Sequence, residues 1–414
     1  MNKRRWLIGW MWIVALPAFA QKTVLTVAAY PSVDAIIKEA LPAWQKSHPQ
    51  VEVKVVSREY ADHHTAMTTA LATSSALPDV MALEYGYLGR FAQGGGLEDL
   101  SKAPYLAHQS KDLFVDFAYQ QGQGPGQAQS AIPTDVGPGS MFYRKDILDK
   151  AGLKESDLTG SWEGYIAAGK VIKAKTGAYL LAHARDMKDI LVRTQVPAGE
   201  GVYFDATGKS VVASSPRFKN AFIKAKEIRD AGLDGKINAW SNEWGEAFKR
   251  GSVSTQMMGA WLGGHLSNWL APQTKGLWRA AALPEKTTLS WGGTFYAIPA
   301  KAEHKALAWD LMRHLTLNKE QQQQAFQKYD AFPALKSAHQ GSFWDSPVEF
   351  LGGQKARLQW RETAQNIKAT QVFKHDPIAE EIVNAELDLV LTKGKPIADA
   401  LKDADAMITR RARR

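Results

Sequence analysis

The chain has 414 residues, more than one hydrophobic core usually organises, so two lobes are expected. Its 45% hydrophobic and 22% charged content is that of an ordinary water-soluble globular protein and excludes disordered, collagenous and fibrous classes. The absence of cysteine removes disulfide frameworks, thiolate metal sites and thiol nucleophiles; the net charge of +9 becomes +6 once Lys3, Arg4 and Arg5 are set aside.

Those three cations precede an apolar run from Trp6 to Leu16, and Pro17-Ala18-Phe19-Ala20 ends in the small residues a signal peptidase reads. This is the pattern of a secretory leader cleaved after Ala20. The run is too short to span a bilayer, and no other stretch reaches spanning length. Export without a cysteine for lipid attachment points to a free protein of the periplasm. At the far end, Arg410-Arg411-Ala412-Arg413-Arg414 reads as the solvated end of a last helix. No basic–aromatic interleaving accompanies it, so nucleic acid is not an expected partner.

After the leader, Val24–Ala28 predicts a strand ending at Tyr30-Pro31, and Ile37, Leu41 and Trp44 follow at helical spacing. His48-Pro49 breaks that helix, and Val51, Val53 and Val55 alternate with polar residues as a second strand. A helical stretch to about Ser75 leads through Leu77-Pro78 to the apolar run Val80–Leu83. Strand, helix, strand, helix, strand is the order of a parallel α/β lobe, and such sheets place ligands beyond their carboxyl ends, here Tyr30 and Glu84-Tyr85. Gly122–Gly126 is expected to be a solvent-exposed loop, and the turn-rich Ala131–Gly139 a crossing between lobes. Further on, Ser215-Pro216 starts a helix that Gly232 stops, Asn318 with Gln321 resembles a capping box, Asp376-Pro377 opens a helix ending near Gly394, and Pro396 opens the last one.

Catalytic signatures are missing. No Gly-x-Ser-x-Gly elbow and no His-Glu-x-x-His occurs, and Gly208-Lys209-Ser210 lacks the first glycine of a phosphate loop, Tyr203 standing there. Asp205–Gly208 reads as a hairpin tip. His63 and His64 are adjacent on a helix, diverge by about 100°, and are expected to be surface histidines rather than metal ligands. No metal, cofactor or enzymatic activity is expected.

Tryptophan placement carries the functional signal. Trp240, Trp244 and Trp261 cluster, and Trp291 precedes Gly292-Gly293. Flat aromatic surfaces suit the C–H faces of a pyranose, carboxylates and amides satisfy its hydroxyls, and glycines let backbone approach a ligand. Trp44 and Trp309 lie on apolar helix faces and read as core; Trp162 reads as packing at a helix start.

With these residues the chain resembles the extracellular solute-binding family 1 that includes maltose-binding protein. The matching pieces are Leu77–Val80, Phe91–Leu97, Ile132–Gly139, Phe142–Asp146 with Ala151–Leu153, Met257–Trp261, Trp291–Thr294 with Ala297–Pro299, and Phe332–Ser337. The resemblance implies an α/β, two-lobed periplasmic binding protein fold (type II-like), with crossings near 133–139, 291–295 and 329–333. It implies an N-terminal lobe of 21–133 with 294–328 and a C-terminal lobe of 134–293 with 329–414. It also implies that a mono- or oligosaccharide is bound by hinge closure and delivered to the transmembrane subunits of an ABC permease, by a monomer. Trp261 matches the family's sugar-stacking tryptophan; Glu84, Tyr85 and Tyr30 occupy the strand-end region, and Asp135 lies on a crossing. Gly137, however, matches a position where maltose-binding protein has a ligand carboxylate, and Glu380 one where it has a stacking tryptophan. Two competing readings are the same fold taking a phosphorylated polyol or a polyamine, and a secreted glycan-active enzyme.

Overall fold

The computed structural model describes residues 22–413; the expected leader and its cleavage point lie outside them. The first strands form where apolar β-formers recur: β1 (Thr23–Ala29), β2 (Val51–Ser57) and β3 (Val80–Glu84). They pair in parallel, Leu25 opposite Val53 and Val27 opposite Val80, joined by helices α1 (Val33–Gln45) and α2 (Tyr60–Thr73). The buried stripe of α1, including Ile37, Leu41 and Trp44, lies against this sheet, as its spacing predicts. A third helix, α3 (Tyr85–Gly94), leaves directly from the end of β3.

From there the sheet changes hands. The 13-residue strand β4 (Ile132–Arg144) pairs antiparallel with β5 (Thr255–Gly259) and β6 (Trp278–Ala281) along its second half. Its first half pairs with β7 (Ser290–Ala297) and with the two-residue β8 (Phe332–Pro333). β7 in turn joins β3, Glu84 opposite Thr294, giving the order β2-β1-β3-β7-β4-β5. The three stretches expected to be crossings therefore lie side by side, as β4, β7 and β8. Beyond them a separate buried cluster runs from Met141 to Ile408, containing Tyr165, Phe218, Phe222 and Leu387.

Helix punctuation follows the sequence closely. Pro216 starts the helix Pro216–Asp230, which stops before Gly232 at φ 64°, and Gly394 in the left-handed region ends Asp376–Lys393. Asn318 accepts from the Gln321 amide, so one half of the expected capping box forms. Asp205–Gly208 is a hairpin tip, Phe204 pairing with Ser210. The Gly122–Gly126 segment departs from expectation. It is not uniformly exposed: Gly122 is buried against the Ala131 carbonyl and Gly124 packs on the Ala92 carbonyl, approaches a side chain would block.

Candidate functional site

Parallel strands deliver side chains to the carboxyl edge of a sheet, and here Tyr30 directly follows β1 and Glu84 ends β3. Tyr30 is buried, its hydroxyl 3.0 Å from Thr294 Oγ1 on β7. Glu84 caps α3: its Oε2 accepts from the Gly86 amide (2.7 Å) and from the Tyr60 hydroxyl (2.6 Å). Burial pushes this carboxyl up to about 7, the bonds from Tyr60 and Gly86 opposing the shift and the charge of Glu380 adding to it. The backbone of Glu84 is pinned from behind by His64, whose Nε2 accepts the Glu84 amide (3.1 Å) while Nδ1–H donates to the Tyr60 carbonyl (2.7 Å). That bonding requires the neutral ring, and burial pushes its pKa down to about 3.

His63 and His64 are thus not surface residues: both are fully buried. Nor do their rings point apart: they meet edge to face with centres 4.9 Å apart, and with Met67 and Ala70 they make an i, i+1, i+4, i+7 face that α2 turns inward. Among the described residues no acidic or histidine cluster could hold a metal ion.

The Glu84 shift has a testable sign. Below the ordinary value of 4.5 the carboxyl is neutral in folded and unfolded chains alike. Between 4.5 and about 7 only the unfolded chain releases its proton, so the stability this group contributes is lost as pH rises through that window. Glu84→Gln, neutral throughout, should therefore unfold at a higher temperature than the native chain at pH 8, the gap closing toward pH 4.5. Calorimetry showing a gap independent of pH would contradict a raised carboxyl.

The crossing strands form the next wall. Trp261 follows β5, and its Nε1–H donates to the Trp291 carbonyl at 2.7 Å. Three glycines make room for that ring. A Cβ on Gly137 would overlap the Trp291 carbonyl oxygen, one on Gly259 would overlap Trp261 Nε1, and one on Gly292 would lie 3.0 Å from Trp261 Nε1 and 3.4 Å from Glu84 Oε1. The last figures bring Glu84, Gly292 and Trp261 to one point. Gly292 (φ 78°) and Gly293 (φ 133°) are buried, so they do not supply the exposed backbone expected of them; they kink β7 where its register with β4 slips.

Asp135 is spent within the crossing, its Oδ1 accepting from the Thr294 amide at 3.2 Å; burial pushes it up to about 7. The cavity beside it, between Val33, Thr134, Tyr296 and Gln322, is about 10 Å³, room for one water and not for a sugar ring.

Trp291 is half-buried, with the Arg193 guanidinium 4.8 Å from its ring centre. Arg193 in turn pairs with Glu380 (3.5 Å) and Asp189 (3.7 Å). Glu380, which falls where maltose-binding protein has a stacking tryptophan, is thus a carboxylate paired with the cation that covers Trp291.

Trp244 is fully buried, its Nε1 donating to Gln256, and backs Trp240 rather than facing solvent. Trp240 is 54% exposed and runs nearly parallel to Trp261, ring centres 5.9 Å apart. It holds φ 69°, a left-handed backbone that costs a bulky residue on the order of 1 kcal/mol or more. Trp162 and Trp44 are core, as expected, and Trp309 is half-buried against that core.

Across the gap α3 meets the segment before the helix Asp376–Lys393. Tyr85 Oη lies 3.1 Å from Thr370 Oγ1, Gln93 Nε2 donates to the Val372 carbonyl (2.8 Å), and the Lys374 amide donates back to Gln93 Oε1 (3.0 Å). Gly89 lets the Phe373 backbone come this close. Phe373 itself packs on Phe204, so α3 touches the body that holds Trp291 and Arg193.

Residues 39–351 match the profile described as bacterial extracellular solute-binding protein. The chain belongs to that family. The lactose-binding protein of Rhizobium radiobacter is 28% identical over 387 residues, 89% of this chain and 87% of that one. The arabinooligosaccharide-binding protein of Halalkalibacterium halodurans is 24% identical over 327 residues, covering 76% and 70%. Among solved structures, an extracellular solute-binding protein family 1 member superposes with TM-score 0.80 at 22% identity, covering 94% of this chain and 99% of that one. The binding protein of B. animalis subsp. lactis Bl-04 in complex with beta-1,6-galactobiose gives 0.78 at 21%, covering 94% and 97%. The fold of this solute-binding protein is accordingly the two-lobed one, and the family's own description puts its members outside the cytoplasm. The relatives are binding proteins rather than enzymes.

Proposed function

We propose that this solute-binding protein captures a mono- or oligosaccharide between its lobes and delivers it to the transmembrane subunits of an ABC permease. One observation carries the reading: Glu84, from the end of β3, and Trp261, from the end of β5, meet at Gly292 on a crossing strand. An apolar ring and a hydrogen-bonding carboxyl at one point are the two surfaces a sugar needs, a flat face for its C–H groups and an acceptor for its hydroxyls. The relatives named for lactose and arabinooligosaccharides support a sugar over the polyol phosphate and polyamine alternatives.

In this reading the lobes are 21–133 with 294–328 and 134–293 with 329–414, acting as a monomer released after cleavage at Ala20. The lobes hinge on β4, β7 and β8, and the Tyr85–Thr370 and Gln93–Lys374 bonds are contacts of the closed form. A ligand binding the closed form better than the open one shifts the population toward closure, and the permease recognises the result. Trp261, Trp240 and Glu84 are the first contacts; Trp291, Tyr30, Tyr85 and Asp135 position them, and Trp244 supports Trp240.

Thermal unfolding of the mature chain with a panel of sugars, phosphorylated polyols and polyamines tests the class. A ligand at a hundred times its Kd adds about 2.7 kcal/mol if it binds only the folded state. A shift with a phosphate ester or polyamine, and none with any sugar, would overturn the reading.

A further inference from the structure

Past Trp261 the aromatic surface continues. His265 and Trp269 follow it at four-residue steps, so the helical turns Leu262–His265 and Leu266–Leu270 bring the three rings to one side. The ring of His265 meets Trp261 and Trp240 edge-on at 5.5 Å each and Trp269 edge-on at 5.7 Å. Trp269 Nε1–H donates to His265 Nδ1 at 2.9 Å, which fixes the tautomer and requires a neutral ring; burial pushes that imidazole down to about 4.

Neither outer tryptophan is there to fill the core. Trp240 is 54% and Trp269 53% exposed, two large apolar rings left in water within one patch. Both sit on irregular backbone: Trp240 at φ 69°, and Trp269 in a π-helical turn, a conformation frequent at functional sites. The row begins at the ring that meets Glu84 and Gly292 and leads outward, with the neutral polar Ser267 and Asn268 beside its end.

We propose that Trp261, Trp240 and Trp269, spaced by His265, form a stepped aromatic path that carries an oligosaccharide of at least three units, Trp269 binding a unit outside the cleft. The inference rests on the sugar-binding reading and extends it from a class of ligand to a length. The occupant is a glycan rather than a protein because Trp261, Trp240 and His265 form one aromatic cluster continuous with the cleft wall, and only Trp269 extends it outward. Stacking along such a row leaves each hydroxyl rim free to water or to neutral polar groups.

Calorimetric titration with galacto-, arabino- and gluco-oligosaccharides of one to four units reads the length directly. In whichever series binds, native affinity should rise about tenfold or more from disaccharide to trisaccharide. Trp269→Ala should remove that gain and leave disaccharide affinity unchanged, while Trp269→Phe, which keeps a ring, should retain most of it. Affinity that is flat beyond the disaccharide, or a Trp269→Ala variant weakened equally for both lengths, overturns the path and leaves sugar binding standing. Failure of every series to bind overturns the sugar-binding reading and the path together.

Discussion

Trp261→Ala should weaken sugar binding about thirtyfold or more while the chain still folds. The ring is half-buried at the meeting of three strands, and truncating an aromatic anchor in such a place typically costs 2 kcal/mol or more of binding. Its indole N–H is already committed to the Trp291 carbonyl, so what it offers a ligand is its face. Trp261→Phe separates the two contributions. It keeps the face and drops the N–H, and should cost roughly tenfold, through a ring less firmly placed between Gly137, Gly259 and Gly292. Titration calorimetry with the best sugar of the panel gives both values, and circular dichroism confirms folding. Native affinity in Trp261→Ala would remove the ring from the site.

Gly137→Ala should be among the most destabilising single substitutions in the protein, costing about 3 kcal/mol or preventing folding. The added carbon would overlap a backbone oxygen, that of Trp291, which cannot turn aside as a flexible side chain could. Moving it would shift β7 away from β4, and with it the carbonyl that anchors Trp261. Gly94→Ala, where a Cβ meets nothing within 4 Å, is the matched control and should change stability by less than about 0.5 kcal/mol. Chemical denaturation of the two variants reads the contrast; equal midpoints would show that the crossing can open to admit a methyl group. The same packing explains the departure from maltose-binding protein at this position: no side chain of any kind fits between Trp261 and Trp291.

Much of the fold was legible because its signals are local. The alternation at Val51–Val55, the run Val80–Leu83, Pro216 and Gly394 each report on a few neighbouring residues, and strands and helix ends form where they indicate. The inward face of α2 is legible too, as His63, His64, Met67 and Ala70 share one helical face; the histidines read as buried only through that period and not through their spacing to each other. Trp261, His265 and Trp269 were similarly visible at four-residue steps. Arg193 was not. Nothing in its neighbourhood announces that it will cover a tryptophan 98 positions later in the chain, because that pairing exists only once two separate elements pack.

The sequence by itself determined the parallel α/β opening, the strand ends that carry Tyr30 and Glu84, and membership of a solute-binding family, since these depend on periodicity, turn residues and ordered motifs. Only the tertiary structure decided which tryptophans face water. Trp240 and Trp244 are four residues apart and chemically identical, yet one is 54% exposed and the other fully buried. Likewise it decided that Asp135 would bond to Thr294 across the strands and that Glu380 would be drawn to Arg193. Burial and charge pairing are set by atoms brought together from distant parts of the chain, and local sequence does not contain those distances.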